Sequence, residues 1–125
     1  MDLYTETILD HYEHPHHAGR LATPDVSVQE DNLLCGDRIQ LDCAFNGRGE
    51  VCDIAFAGMG CALSQASMSL LSDFVLGKSC DELRTLSVEG VQQLVGSLIT
   101  PARVKCAMLG AVAIKHACEL YGKKE

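Results

Sequence analysis

The sequence predicts an α+β fold. Two segments, Arg38–Phe45 and Glu50–Ala57, alternate apolar and polar residues with a period of two, and Asn46-Gly47-Arg48-Gly49 joins them as a hairpin loop rich in residues that tolerate positive φ. Both before and after this hairpin, apolar residues recur at helical spacing instead. With 125 residues, 47% hydrophobic and 22% charged, the chain has the size and composition of one globular domain, taken here as 1–125.

The elements follow in order. Leu3, Thr7, Ile8, His11 and Tyr12 form a stripe that predicts a helix over 3–14, stopped by Pro15 because the residue before proline avoids the α region. A turn-rich stretch leads to Val26-Ser27-Val28, a short edge strand. In the hairpin, Ile39, Leu41 and Cys43 form one apolar face, with Cys52, Ile54 and Phe56 opposite. Pairing Ile39 with Phe56, Leu41 with Ile54 and Cys43 with Cys52 brings the six together, and extending that register sets Cys35 opposite Gly60. After Cys61 the period changes. Leu63, Ala66, Leu70 and Phe74 predict a helix to about Leu76, with Gly77 as its stop. Ser79 opens a short helix, Ser87 caps another, and Thr100-Pro101 opens the last, which runs to about Tyr121 with Cys106, Leu109, Ala113 and Ala117 along one stripe.

Charge narrows the partners. Seventeen acidic residues against ten basic ones give a net charge of −7, which argues against a nucleic-acid grip and against an anionic membrane surface. Met1-Asp2-Leu3-Tyr4 has neither the basic nor the apolar region of an export signal, so a cytoplasmic location is expected. The uncharged run from Ile54 to Ser72 is broken by glycines, serines and a glutamine, unlike a membrane helix.

The seven cysteines carry the chemistry. An odd number in a reducing compartment argues against a disulfide framework, and no CxxC pair is present. Cys43, Cys52, Cys80 and Cys118 fall beside apolar neighbours and are expected to fill core. Cys35, Cys61 and Cys106 stand at loop or helix-start positions. Gly36 allows Cys35 and Asp37 to turn toward one point, and Cys61 precedes a helix, where backbone N–H groups stabilise negative charge. Each of these can be read as a core thiol or a turn former. Together, three thiolates and a carboxylate make a four-coordinate set suited to zinc or an iron–sulfur cluster, with the oxygen donor as the weakest ligand to a soft metal. Lys105, next to Cys106, is either a solvated helix lysine or a cation that stabilises a thiolate or persulfide at Cys61 or Cys106, and Arg103 offers the same alternatives. His11, His14, His16 and His17 are expected to form a surface run interrupted by proline rather than a metal site.

Four segments, YTETILDHYEHPHHAGRL near the start, CGDRIQL around Cys35, FAGMGCALSQASMSLL around Cys61 and PARVKCAMLGAVAIKHA around Cys106, together resemble the U-type iron–sulfur assembly proteins: IscU, SufU and the N-terminal domain of NifU. The resemblance spans nearly the whole chain. It implies a three-stranded antiparallel sheet with about five helices packed on it and the site at one end. It implies that Cys35, Asp37, Cys61 and Cys106 are the metal or cluster ligands, with a pyridoxal-phosphate cysteine desulfurase as the partner that hands over sulfur as persulfide. Two branches differ. The IscU branch builds a 2Fe-2S cluster and passes it to recipient apoproteins, and usually carries histidine before the third cysteine, where this chain has Lys105. The SufU branch binds zinc and accepts sulfur, and shares the CGDRI and RVKCA wording, but usually carries an insertion of about twenty residues that is missing here: Cys61 and Cys106 are 45 positions apart. The stretch 99–105 departs from the LPPVK segment that a dedicated Hsp70 chaperone reads in the IscU branch, which counts against that chaperone as a partner.

The expected function is therefore a scaffold that assembles a labile 2Fe-2S cluster on three cysteines and one aspartate, with Cys61 or Cys106, aided by Lys105, accepting the persulfide. The alternative is a zinc-dependent sulfur acceptor, a sulfurtransferase acting with the desulfurase through the same four residues. A closed structural zinc module would look the same in sequence. No HxE…PCxxC pattern supports a zinc deaminase. An exposed cluster site is compatible with a homo-oligomer.

Overall fold

The computed structural model describes residues 6–33, 36–96 and 99–124. Helix α1 (Glu6–Glu13) leads into strands β1 (Val26–Asn32), β2 (Asp37–Phe45) and β3 (Val51–Met59). Helices α2 (Ala62–Val75), α3 (Cys80–Leu83) and α4 (Val88–Val95) follow. A single 3-10 turn over Pro101–Arg103 then opens the long α5 (Val104–Lys124). The three strands form an antiparallel sheet in the order β1-β2-β3. This is the expected α+β class, with a three-stranded antiparallel sheet.

Caps set the helix boundaries. Ser79 and Glu82 form a reciprocal capping box on α3, and the Ser87 hydroxyl accepts from Gly90 N–H on α4. Gly96 closes α4 at φ 78°. Pro101 takes the first helical position after Thr100, where its missing N–H leaves no helix bond unmade.

The core lies on one face of the sheet. Antiparallel pairing puts Val26, Cys43 and Ile54 on one rung and Val28, Leu41 and Phe56 on another, all buried. Helix α5 packs across β1 and β2, α2 packs against α5 and β3, and α1 packs against α2. The segment before β1 covers the β3 edge: Phe56 N–H donates to the His17 carbonyl, and Gly19 N–H to the Phe56 carbonyl, both near 2.9 Å. No helix among the described residues is long and apolar enough to cross a membrane.

The hairpin register differs from the expected one. Leu41 faces Phe56 and Cys43 faces Ile54, a shift of two residues from the pairing drawn from alternation. Two things make up the offset: Phe45 pairs with Val51 rather than Glu50, so the connection is one residue longer than expected, and a β-bulge adds the second residue. Phe45 pairs with Val51 and Ala44 with Asp53, so Cys52 is the extra residue. Cys52 is therefore exposed rather than part of the core. A shift of two preserves the inward face, so Ile39, Leu41, Cys43, Ile54 and Phe56 remain buried. Strand β1 also runs on to Asn32, four residues beyond the expected edge strand, because Gln29, Glu30, Asp31 and Asn32 all continue the ladder with β2.

The histidine run is likewise more structured than a surface run. His11 is buried, with Nδ1 2.7 Å from Ser69 Oγ, while His16 Nδ1 and His17 Nε2 lie 2.5 and 2.9 Å from opposite oxygens of Asp73. Burial, helped by repulsion from His16, moves the His11 pKa down. These contacts fasten the chain after α1 to α2.

On the other face of the sheet, Asp42 is fully buried and saturated with donors. Arg20 Nε and Nη2, Leu21 N–H and Ser27 Oγ all bond its carboxylate, at 2.7 to 3.1 Å. Burial alone would raise this carboxyl, but the donors outweigh it and hold its pKa below the ordinary value. Asp42→Asn keeps the size and loses the charge, so we expect a loss of about 2 kcal/mol in urea denaturation at pH 7. Because the folded-state pKa is lowered, the charge stabilises the fold above the ordinary carboxylate range and ceases to as pH falls through the lowered value. The gap between wild type and variant should therefore close in acid.

Candidate metal centre

The inward row of β2 runs Asp37, Ile39, Leu41, Cys43. Asp37 thus occupies the core-facing place at the end of the sheet where β2 begins, and is 1% exposed. The register ends at Arg38 with Met59. One step outward, Asp37 meets Gly60, so Asp37, not Cys35, takes the place opposite Gly60. Cys35 lies outside the described residues. Gly36 adopts φ 72° beside Asp37, the turn expected from its lack of a side chain.

Cys61 is the N-cap residue of α2. Its N–H donates to Asp37 Oδ1 at 2.9 Å, and its Sγ lies 3.9 Å from Asp37 Oδ2. The short first bond holds the carboxylate against the start of α2. Gly60, at φ 140°, is what makes that approach fit, because a Cβ there would stand 2.1 Å from Asp37 Oδ1. Cys106, in the first turns of α5, is 3% exposed. The donor atoms of Asp37, Cys61 and Cys106 all lie within 4.8 Å of one another. Two sulfurs and a carboxylate oxygen at this spacing can hold one soft or borderline metal ion, three donors of a four-coordinate set.

Three elements that are distant in sequence build this group: the first residue of β2, the cap of α2 and the start of α5. Lys105 is exposed and borders the neighbouring groove of about 450 Å³, whose walls include Asp31, Leu33, Met108 and Val112. Arg103 is half-buried. Leu33 and Met59, on either side of the sheet end, are 90% and 60% exposed, so apolar surface flanks the centre. Sequence reasoning singled out Asp37, Cys61 and Cys106 but missed the N–H of Cys61 and the clearance at Gly60 that place Asp37. The one available signal was the glycine directly before Cys61.

Residues 3–125 match the NifU-like N-terminal domain. The chain belongs to that family. The iron–sulfur cluster assembly scaffold protein IscU of Streptococcus pyogenes is 37% identical, over 92% of this chain and 82% of that one. The protein of the same name from Escherichia coli is 32% identical over 97% and 95%. Among solved structures, FiSufU of the SUF system of Fervidobacterium islandicum superposes with a TM-score of 0.79 at 25% identity, covering 93% of this chain and 96% of its own. The NifU-like fold thus accounts for the helix-covered three-stranded sheet, and in this member it gathers Asp37, Cys61 and Cys106 at one end.

Proposed function

We propose that this NifU-like protein is an iron–sulfur cluster scaffold that receives sulfur, assembles a labile 2Fe-2S cluster and releases it to acceptor proteins. The observation that carries the reading is the meeting of Asp37, Cys61 and Cys106 within 4.8 Å at the sheet end. Cys35, two positions before Asp37, is assigned as the fourth ligand on sequence grounds. Iron and sulfide are cargo in this reading. Thiolates bind them tightly, whereas the Asp37 carboxylate is a hard donor to soft iron, so one corner of the site is weakly held and open to a recipient's ligand. The bond from Cys61 N–H to Asp37 keeps that carboxylate aimed inward. A cysteine desulfurase is the proposed sulfur source: a thiolate of Cys61 or Cys106 attacks the outer sulfur of its persulfide, forming a new persulfide here and releasing the donor thiolate. The exposed Leu33 and Met59 beside the centre suit transient docking of donor and acceptor.

The zinc-dependent sulfur acceptor stays as a second reading, because Lys105 stands where the cluster-building branch carries histidine. Metal and sulfide analysis of protein purified without oxygen separates the two. Iron and acid-labile sulfide in near-equal amounts are expected. About one zinc per chain, no sulfide after incubation with iron, cysteine and a desulfurase, and faster desulfurase turnover would overturn the scaffold reading for the sulfur acceptor.

A further inference from the structure

Three cysteines outside the centre gather near the other end of α5. Cys118 lies twelve residues beyond Cys106 on that helix, about 18 Å along its axis at 1.5 Å per residue. Cys118 is 1% exposed and lines the same cavity as Cys80, the first residue of α3. Cys43 lies buried on the inward row of β2 and in the same hydrophobic core cluster as Cys118, with Cys80 packed against that cluster. Burial pushes the Cys43 thiol up to about 12, with Cys80 and Asp42 adding to it. Burial also raises Cys118, reinforced by Cys80 and Cys43 and opposed by Arg84.

A cavity of about 290 Å³ opens on the pair. Cys80 and Cys118 share its walls with Arg48, Arg84 and Asp81. Arg84 pairs with Asp81, whereas Arg48, from the β2–β3 loop, makes no ion pair among the described residues. Two guanidiniums against one carboxylate leave the cavity with one net positive charge. It therefore offers a half-buried thiol, a second and buried thiol in the same walls, and a cation with no ion-pair partner among the described residues.

We propose that Cys80 and Cys118 form a second thiol site, which takes an anionic low-molecular-weight disulfide of the glutathione class and closes into an intramolecular disulfide. The Cys80 thiolate, having lost its proton to solvent, attacks one sulfur of R–S–S–R. A Cys80–S–S–R bond forms and R–S⁻ leaves with the electron pair. Cys118 then loses its proton to solvent and attacks the Cys80 sulfur, expelling the second R–S⁻. Two protein thiols are oxidised to one disulfide, one small disulfide is reduced to two thiols, and no other oxidant enters.

The test is treatment of the full chain with oxidised glutathione, alkylation of the remaining thiols, and peptide mapping by mass spectrometry. A Cys80–Cys118 cross-link is expected. Cys118→Ala should instead trap a stable glutathione adduct on Cys80, and Cys80→Ser should leave Cys118 unmodified because it is buried. Arg48→Glu should slow the reaction with oxidised glutathione about fivefold and leave the reaction with uncharged 2-hydroxyethyl disulfide unchanged. Alkylation of both Cys80 and Cys118 while the exposed Cys52 carries adducts would overturn the site. Equal rates for Arg48→Glu and wild type with glutathione would overturn its preference for anions.

Discussion

Cys61→Ser and Cys106→Ser should each abolish metal retention, lowering bound iron or zinc in anaerobically purified protein to less than a tenth of the wild-type content. A serine hydroxyl stays protonated at neutral pH and is a hard, weak donor, whereas a thiolate is a soft anion. With donor atoms only 4.8 Å apart at most, loss of one sulfur leaves no nearby thiol among the described residues to replace it. The two variants differ in what else they disturb. Cys61 is half-buried at a helix cap, so its serine should fold as wild type. Cys106 is buried within the core cluster, so its serine places a hydroxyl there and should cost a further 1–2 kcal/mol or so. Circular dichroism and urea denaturation of the metal-free proteins separate this cost from the loss of binding. Full metal content in either folded variant would remove that cysteine from the ligand set. Cys52→Ser is the control: an exposed bulge thiol whose replacement should alter neither quantity.

What could be read from the sequence follows from which constraints are local. Caps are local, so Ser79, Ser87 and Thr100-Pro101 marked three helix starts where the structure has them. Alternation is local as well, and it fixed which hairpin residues face inward. It could not fix the offset. A period of two is unchanged by a slip of two, and neither the longer connection nor the bulge at Cys52 that together produce the slip leaves a compositional mark. The same limit explains β1: Gln29 to Asn32 are polar, and only pairing with β2 makes them strand. Asp37 and Cys61 stood out because each adjoins a glycine at a chain reversal, and both are in the group that the structure assembles. Cys106 could not be linked to them by spacing alone, since the approach of α5 to the sheet end is tertiary, and only the family motif connected the three. For the same reason the cavity shared by Cys80 and Cys118 was not visible in advance.

Gly60→Ala should be the most damaging single methyl in the protein, losing about 3–5 kcal/mol of stability together with metal binding. Two effects combine. At φ 140° an L-residue is strained by roughly 1–3 kcal/mol wherever it stands. Here the new Cβ would also lie 2.1 Å from Asp37 Oδ1, 2.7 Å from its Cγ and 3.0 Å from its Cα. Asp37 has little freedom to retreat: it is 1% exposed, at the start of β2, and its Oδ1 accepts the Cys61 N–H. Relief must break that bond and swing the carboxylate off the thiols, or part β2 from the loop before α2. Either movement dismantles the centre, and the loss is a large part of the ~5–15 kcal/mol typical of a whole domain. Gly49→Ala isolates the first effect. Gly49 also has a positive φ, 75°, but nothing lies within 4 Å of its Cβ position. It should lose only ~1–2 kcal/mol and bind metal normally. Urea denaturation of the apo-proteins, with metal analysis of the same preparations, makes the comparison. If Gly60→Ala matched Gly49→Ala in both, contact between Asp37 and the cap of α2 could not be what positions the carboxylate.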